Sequence, residues 1–308
     1  MPRLIATEPG PPLDLAGFVD AVEAAGFDPA DEASFVSVAP LLRRLACNRR
    51  FLGDRLLREI EAGCGDQARA NRYNAQVVML DRRERWFVRA NIWPGARDPA
   101  VRTNGLGPFF YGLPHDHNFS FLTVGYFGPG YESDHWEVDP QAITGLPGEA
   151  VTLRALGRQR LTAGQVMLYR AHRDVHAQHP PASLSVTLNL MQATPGLARR
   201  AQYRFDPDRG TIAERLGQTA MEALLPLAAR LGGADGRALL AELADRHPSG
   251  RIRFGAIAAL ADSEVEPAGA ERLVRGARDG DALVAGLCTQ AIATRTAGSA
   301  WIGATTPP

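Results

Sequence analysis

No lysine occurs anywhere in this chain; its basic residues are all arginine. That absence excludes Schiff-base chemistry, a pyridoxal-phosphate enzyme and a Walker-A phosphate loop, each of which needs a lysine amine. Arginine is left as the one permanently charged cation for an anionic ligand, and its planar fork suits a carboxylate. Cysteine is scarce as well. Cys47, Cys64 and Cys288 are far apart, odd in number and free of any C-x-x-C pairing, so they read as small core hydrophobes in a reducing cytoplasm. The first residues, Met1 to Pro12, are proline-rich and polar and lack the apolar core of a secretion signal. No stretch approaches the roughly 18 apolar residues of a membrane span. The expectation is a cytoplasmic protein without a membrane partner. Excess charge is also missing: 34 basic residues face 34 acidic ones. Nucleic acid needs a clustered basic surface and is therefore not an expected partner. The run Arg82-Arg83-Glu84-Arg85 is broken by an acid and reads as a solvated strand end or turn.

Three regions separate by periodicity, within a length of 308 residues that fits one large domain with appendages or two domains. Residues 13–70 form an expected N-terminal helical cap. Leu15, Phe18, Val19 and Val22 fall at i, i+3, i+4 and i+7, and the run from Phe35 through Phe51 to Ile60 repeats that spacing, with Gly63 as a stop. Residues 71–208 show short β-type runs separated by Gly, Pro and Asp. Strands are predicted at Ala75–Leu80, Trp86–Ile92, Phe119–Tyr126, His135–Val138, Val151–Arg154, Gln165–Tyr169, Leu184–Gln192 and Gln202–Phe205, which fits a sandwich or small barrel. Residues 209–298 return to helical spacing. The alanine-rich runs beginning at Ala238, Arg253 and Asp281 resemble a short series of HEAT-like hairpins, with a plain helical bundle as the alternative. The fold class is α+β.

The chemistry concentrates in histidine. Four of the seven histidines fall in two clusters, Pro114-His115-Asp116-His117 and His172-Arg173-Asp174-Val175-His176. An H-x-H pair entering a strand turns both rings to one face, because side chains alternate with period two. A third imidazole from a neighbouring strand would complete one face of an octahedron and leave the opposite positions open. His115, His117 and His176 are the predicted ligands, with His172 as a possible fourth ligand or outer partner. Asp116 points away if its neighbours point in, so it reads as a structural hydrogen-bonding group.

These motifs resemble those of the cupin superfamily. Pro114-His115-Asp116-His117, the following strand and Gly128-Pro129-Gly130 are similar to the first cupin motif; Gly164 to Tyr169 ending at His176 is similar to the second. The resemblance covers about Arg72 to Met191 and implies a double-stranded β-helix barrel. Two departures are visible. The acidic ligand that usually follows the histidine pair is replaced by Leu122, and His172 stands where glycine is common. A three-histidine site without a carboxylate resembles the cysteine (thiol) dioxygenase branch. The strand Trp86 to Gly95 and the strand Ser183 to Leu190 resemble that branch too, and Arg72 falls near the place of its carboxylate-binding arginine. Against this branch stand the flanking helices and the long insertion Ala96 to Leu113, which reads as a lid.

The resemblance implies an Fe(II)-dependent oxygenase for a small amino-acid-like or thiol substrate, with dioxygen as co-substrate and Arg72 as carboxylate binder; Arg89 is a second candidate for substrate binding. Imidazole suits other metals equally, so a non-redox isomerase, lyase or hydrolase using Zn, Mn or Ni is the alternative. A third reading is a metal- or ligand-sensing module whose C-terminal helices bind a protein partner.

Overall fold

Alternating apolar residues in the middle of the chain build two antiparallel sheets with their inner faces opposed. A computed structural model describes residues 2–304 except Arg72, Ala75, Ala198 and Arg199, with the backbone alone over 298–304. Two units separate by contact density, Met1–Pro140 with Ala150–Ala213, and Gln141–Glu149 with Glu214–Pro308.

The first unit begins with β1 (Arg3–Ile5) and the helices α1 (Leu15–Ala24), α2 (Glu32–Cys47), α3 (Phe51–Glu61) and α4 (Gly65–Ala70). The Asp14 and Asp31 carboxylates accept the first free N–H groups of α1 and α2, which fixes where each helix starts. The single run predicted from Phe35 to Ile60 is broken in two, because the Asn48 side chain accepts from the N–H groups of Arg50 and Phe51 and restarts the helix. Then follow β2 (Val77–Arg82), β3 (Trp86–Trp93), α5 (Pro99–Asn104), β4 (Phe121–Phe127), β5 (Tyr131–Glu137), β6 (Arg154–Leu161), β7 (Val166–Tyr169), β8 (Asp174–Gln178), β9 (Ser185–Gln192), β10 (Gln202–Asp206) and β11 (Thr211–Leu216). One sheet has the order β1-β7-β4-β9-β3-β2, the other β6-β5-β8, and β10 pairs with β11.

Period two sorts the large sheet into two faces. Val88, Ala90, Leu122, Val124, Val166, Leu168, Leu188 and Leu190 pack on Phe18, Val22, Phe35, Val38, Leu42 and Leu45 of the helical cap. Each such side chain contributes roughly 1.5–3 kcal/mol on burial, so this seam anchors the unit. The alternate residues, among them Phe87, Phe121, Met167, Tyr169 and Met191, face the barrel interior with Tyr131 of the small sheet. At the small sheet's edge, arginines stand directly opposite carboxylates: Arg154 to Glu137, Arg158 to Asp134 and Arg160 to Glu132. Such cross-strand pairs protect an edge that apolar residues would leave sticky.

Several strands differ from the sequence expectation. β6 runs through 154–161 rather than ending at Arg154, because its arginines carry no apolar alternation and are held by the opposed carboxylates. β8 is a strand although none is predicted between Tyr169 and Leu184, since β5 pairs with it residue by residue. β11 occupies a stretch expected to be helical, and β1 adds an edge strand from the proline-rich start. The insertion 96–113 contains α5 and a 3₁₀ turn, Gly107–Phe109. Cys288 is buried as expected, whereas Cys64 is exposed at a left-handed φ of 57°.

The second unit holds α6 (Ala220–Leu231), α7 (Gly233–Arg246), α8 (Gly250–Ser263), α9 (Ala268–Gly276) and α10 (Ala282–Ala304). A capping box between Thr219 and Glu222 starts α6. Leu240, Ala256, Leu260, Leu273, Val284 and Cys288 form its core. No described helix is long and apolar enough to cross a membrane.

Candidate metal centre

The barrel brings three imidazoles together. One nitrogen from each of His115, His117 and His176 lies within 4.8 Å of the others. His115 sits on a short bridge between two strands, paired with His176 of β8 on one side and Arg204 of β10 on the other. His117 follows two residues later on the same face, and its ring stands 5.1 Å from that of His176. The Nε2 atoms of His117 and His176 are 2.9 Å apart. With metal–nitrogen bonds near 2.1 Å, adjacent ligands of an octahedron are about 3 Å apart, so this spacing fits a first-row divalent ion. The donor set fits as well: burial depresses the basicity of all three rings, most strongly for His117 and His176, where repulsion from His115 adds to it. Neutral imidazole is the form that binds metal.

The other nitrogens are engaged by uncharged groups. His115 Nδ1 lies 2.7 Å from the Leu113 carbonyl oxygen, and His117 Nδ1 lies 3.0 Å from the Gln202 amide nitrogen. The Gln178 amide nitrogen is 3.3 Å from His176 Nδ1. Neither glutamine carries a sequence signal; β10 and β8 bring them in by pairing.

His172 stays out of the cluster. Its Nδ1 is 3.5 Å from Asp116 Oδ2, and its N–H donates to the His117 carbonyl at 2.7 Å. The turn holding it needs a φ of 57°, a conformation that favours glycine and explains the motif's usual residue there. Asp116 is buried and accepts the Tyr203 N–H at 2.6 Å. Leu122 is not the position that matters for the missing carboxylate. It faces the helical cap, whereas its neighbour Phe121 faces the rings, 5.1 Å from His117. Phe121 stacks on Tyr169, 4.7 Å between ring centroids, so an aromatic pair stands beside His117 and His176.

Beyond the rings the interior carries polar groups among its apolar and aromatic side chains. Arg89 is half-buried, its guanidinium lies 4.7 Å from the Tyr73 ring centroid, and its sealed Nε has no hydrogen-bond partner among the described residues. Burial lowers its pKa below the usual arginine value. In the pairing register Arg89 faces Asn189, which in turn faces Thr123, and Thr123 donates to Asn189 at 2.6 Å. Asn91 Oδ1 is likewise buried without a partner among the described residues, and the buried Ser133 hydroxyl lies against Tyr169. Arg72 lies outside the described residues. Sequence reading also passed over His135, which faces His176 across β5 and β8 and whose Nε2 lies 3.1 Å from the Tyr169 hydroxyl. The insertion brings Phe110 against His115, with ring centroids 5.9 Å apart.

No protein-family model and no curated protein matches this chain. Solved structures of cupin-fold proteins do. A hydroquinone 1,2-dioxygenase crystallised with Cd2+ and 4-hydroxybenzonitrile is 14% identical, over 42% of this chain and 71% of that one, with a TM-score of 0.28. A cupin domain from Bordetella pertussis is 13% identical, over 40% of this chain and 98% of its own length, with a TM-score of 0.23. A DMSP lyase from Ruegeria pomeroyi is 10% identical, over 44% of this chain and 56% of that one, at 0.23. These similarities assign neither a family nor a substrate.

Proposed function

We propose that the barrel is a mononuclear non-haem Fe(II)-dependent oxygenase for a small carboxylate-bearing substrate of amino-acid or thiol type. His115, His117 and His176 would hold the metal, and Arg89 the substrate carboxylate. One observation carries this reading: a candidate ligand set without a carboxylate shares the barrel with an arginine whose buried Nε has no hydrogen-bond partner among the described residues. Three neutral imidazoles leave a divalent ion its full charge, and Arg89 adds a second uncompensated cation. A bound anion is what both lack. Iron bound here would supply the redox chemistry with dioxygen and substrate held on one face. The chain's own residues position and exclude: Leu113, Gln178 and Gln202 orient the rings, and Phe121, Tyr169 and Met191 line the interior wall against water. Arg72 stays in the proposal as a second carboxylate binder on its sequence resemblance alone. The test is dioxygen uptake by protein loaded anaerobically with Fe(II) and offered a panel of thiols and amino acids. Uptake with carboxylate-bearing members is expected, and none across the panel would sink the reading.

A second reading rests on the His135–Tyr169 pair beside His176, a proton-carrying couple that suits a non-redox lyase, isomerase or hydrolase using Zn, Mn or Ni. Activity restored to metal-stripped protein by one of those ions, without dioxygen, would favour it. The C-terminal helices read as HEAT-like hairpins that carry a protein partner, supported by the exposed Leu224, Leu227 and Leu231 along α6. Crosslinking in cells with and without Leu227→Glu checks that role, and identical products would remove it.

A further inference from the structure

The three imidazoles are not equally ready for a metal. His115 Nδ1 faces the Leu113 carbonyl oxygen, which a protonated nitrogen satisfies, so its Nε2 keeps a lone pair. His117 is set the other way. The Gln202 amide nitrogen donates to the Asp116 carbonyl at 3.2 Å and lies 3.0 Å from His117 Nδ1. The Asp116 carbonyl decides which end of the amide faces this side, because two oxygens would repel. An amide nitrogen has no lone pair with which to accept, so it donates to Nδ1 and the His117 proton resides on Nε2. That proton points at His176 Nε2, 2.9 Å away. In this arrangement the His117 nitrogen nearest the cluster is closed to a metal.

We propose that Gln202 selects the tautomer of His117 and that its carboxamide turns over when a metal enters; this rests on the three-histidine metal reading above. Turned by half a rotation, Gln202 Oε1 accepts from His117 Nδ1–H, and the His117 Nε2 lone pair faces the ion. The ring stays neutral throughout: one proton leaves Nε2 to water and one arrives at Nδ1, with no net release. The amide gives up its bond to the Asp116 carbonyl, while the Asp116 N–H and carboxylate keep their bonds to the Tyr203 backbone. β10 therefore stays in place, and the change is confined to one side chain. Gln202 is a positioning residue, because it acts through His117 alone.

The test is long-range proton–nitrogen NMR of the full chain labelled with ¹⁵N-histidine, without metal and with Zn(II). The wild type is expected to show His117 protonated on Nε2 without metal and on Nδ1 with Zn(II). Gln202→Glu supplies only an acceptor, so His117 is expected on Nδ1–H already without metal, with Zn(II) bound at least as tightly. Gln202→Met supplies neither group, and its Zn(II) affinity is expected to fall about tenfold or more. Metal-free wild type already protonated on Nδ1 overturns the proposal, as do equal Zn(II) affinities for all three proteins. The wild-type comparison needs no variant and stands if either variant fails to fold. Failure of Zn(II) to bind would overturn the metal reading and the turnover together. The metal-free spectra of wild type and Gln202→Glu would then still decide whether Gln202 selects the tautomer.

Discussion

Replacing Arg89 with methionine should move stability and substrate affinity in opposite directions. The guanidinium sits in the barrel with its Nε sealed and unpartnered, and the Tyr73 ring is its nearest compensation. Exchanging an incompletely compensated buried ion for an apolar side chain commonly stabilises by about 1–4 kcal/mol. Arg89 is only half-buried, so the lower end applies, and the lost contact with the exposed Tyr73 ring subtracts roughly 0.5–1 kcal/mol. The metal-free variant should therefore be more stable by up to about 0.5 kcal/mol, raising its melting temperature by up to roughly 1–2 °C. Carboxylate binding should suffer in return. Removing one partner of a buried charge pair costs about 2–5 kcal/mol, so KM for a carboxylate substrate should rise about 30-fold or more. Thermal melts of the metal-free proteins and dioxygen-uptake kinetics of the iron-loaded ones read the two effects. An Arg89→Met protein that is less stable by 1 kcal/mol or more, yet binds carboxylates as before, would refute the reasoning. Arg89 would then be a structural group rather than one awaiting an anion.

Three further outcomes follow from the same geometry. His172→Gly should leave metal affinity within about twofold, because the ring contacts Asp116 rather than the cluster, and glycine accepts the left-handed φ at no steric cost; a tenfold loss by calorimetric titration would make His172 a ligand after all. Phe121→Glu should fold and add a carboxylate to the three rings, whereas Leu122→Glu should lose about 3 kcal/mol or more by burying an unpaired charge in the cap seam; equal urea midpoints for the two would show the strand register to be misread. Burial pushes His135 down to about 4 from the usual 6.5, so the unfolded chain takes up its proton first as pH falls. This residue's contribution to stability should be constant above about pH 6.5, decline by about 1.4 kcal/mol per pH unit towards pH 4 and level off below. The His135→Phe protein should lack that one-proton slope in urea titrations at pH 7.5, 6 and 5; an unchanged slope would place the effect elsewhere.

Much of the site is local and was readable. His115 and His117 must share a face when they lead into a strand, and the alternation of Leu122, Val124 and Tyr126 with Phe121 and Thr123 already implies two differently occupied faces. The cap helices follow from their own spacing, with Phe18, Val19 and Val22 buried on one side. Counting along the chain reached its limit at Leu122, which stands near the right place in sequence but on the wrong face in space. β8 was hidden for a related reason: Asp174-Val175-His176-Ala177-Gln178 has weak strand character, and only β5 makes it a strand.

Sequence alone determined that the candidate donors are imidazoles and that arginine is the one permanently charged side-chain cation, because these are properties of residues and of their spacing along one strand. Tertiary structure decided the remainder: that Phe121 rather than Leu122 faces the rings, that His172 turns to Asp116, and that Gln178 and Gln202 touch the rings. Gln202 stands 85 residues from His117 along the chain, yet lies 3.0 Å from its ring. No local periodicity encodes a contact that pairing between distant strands creates.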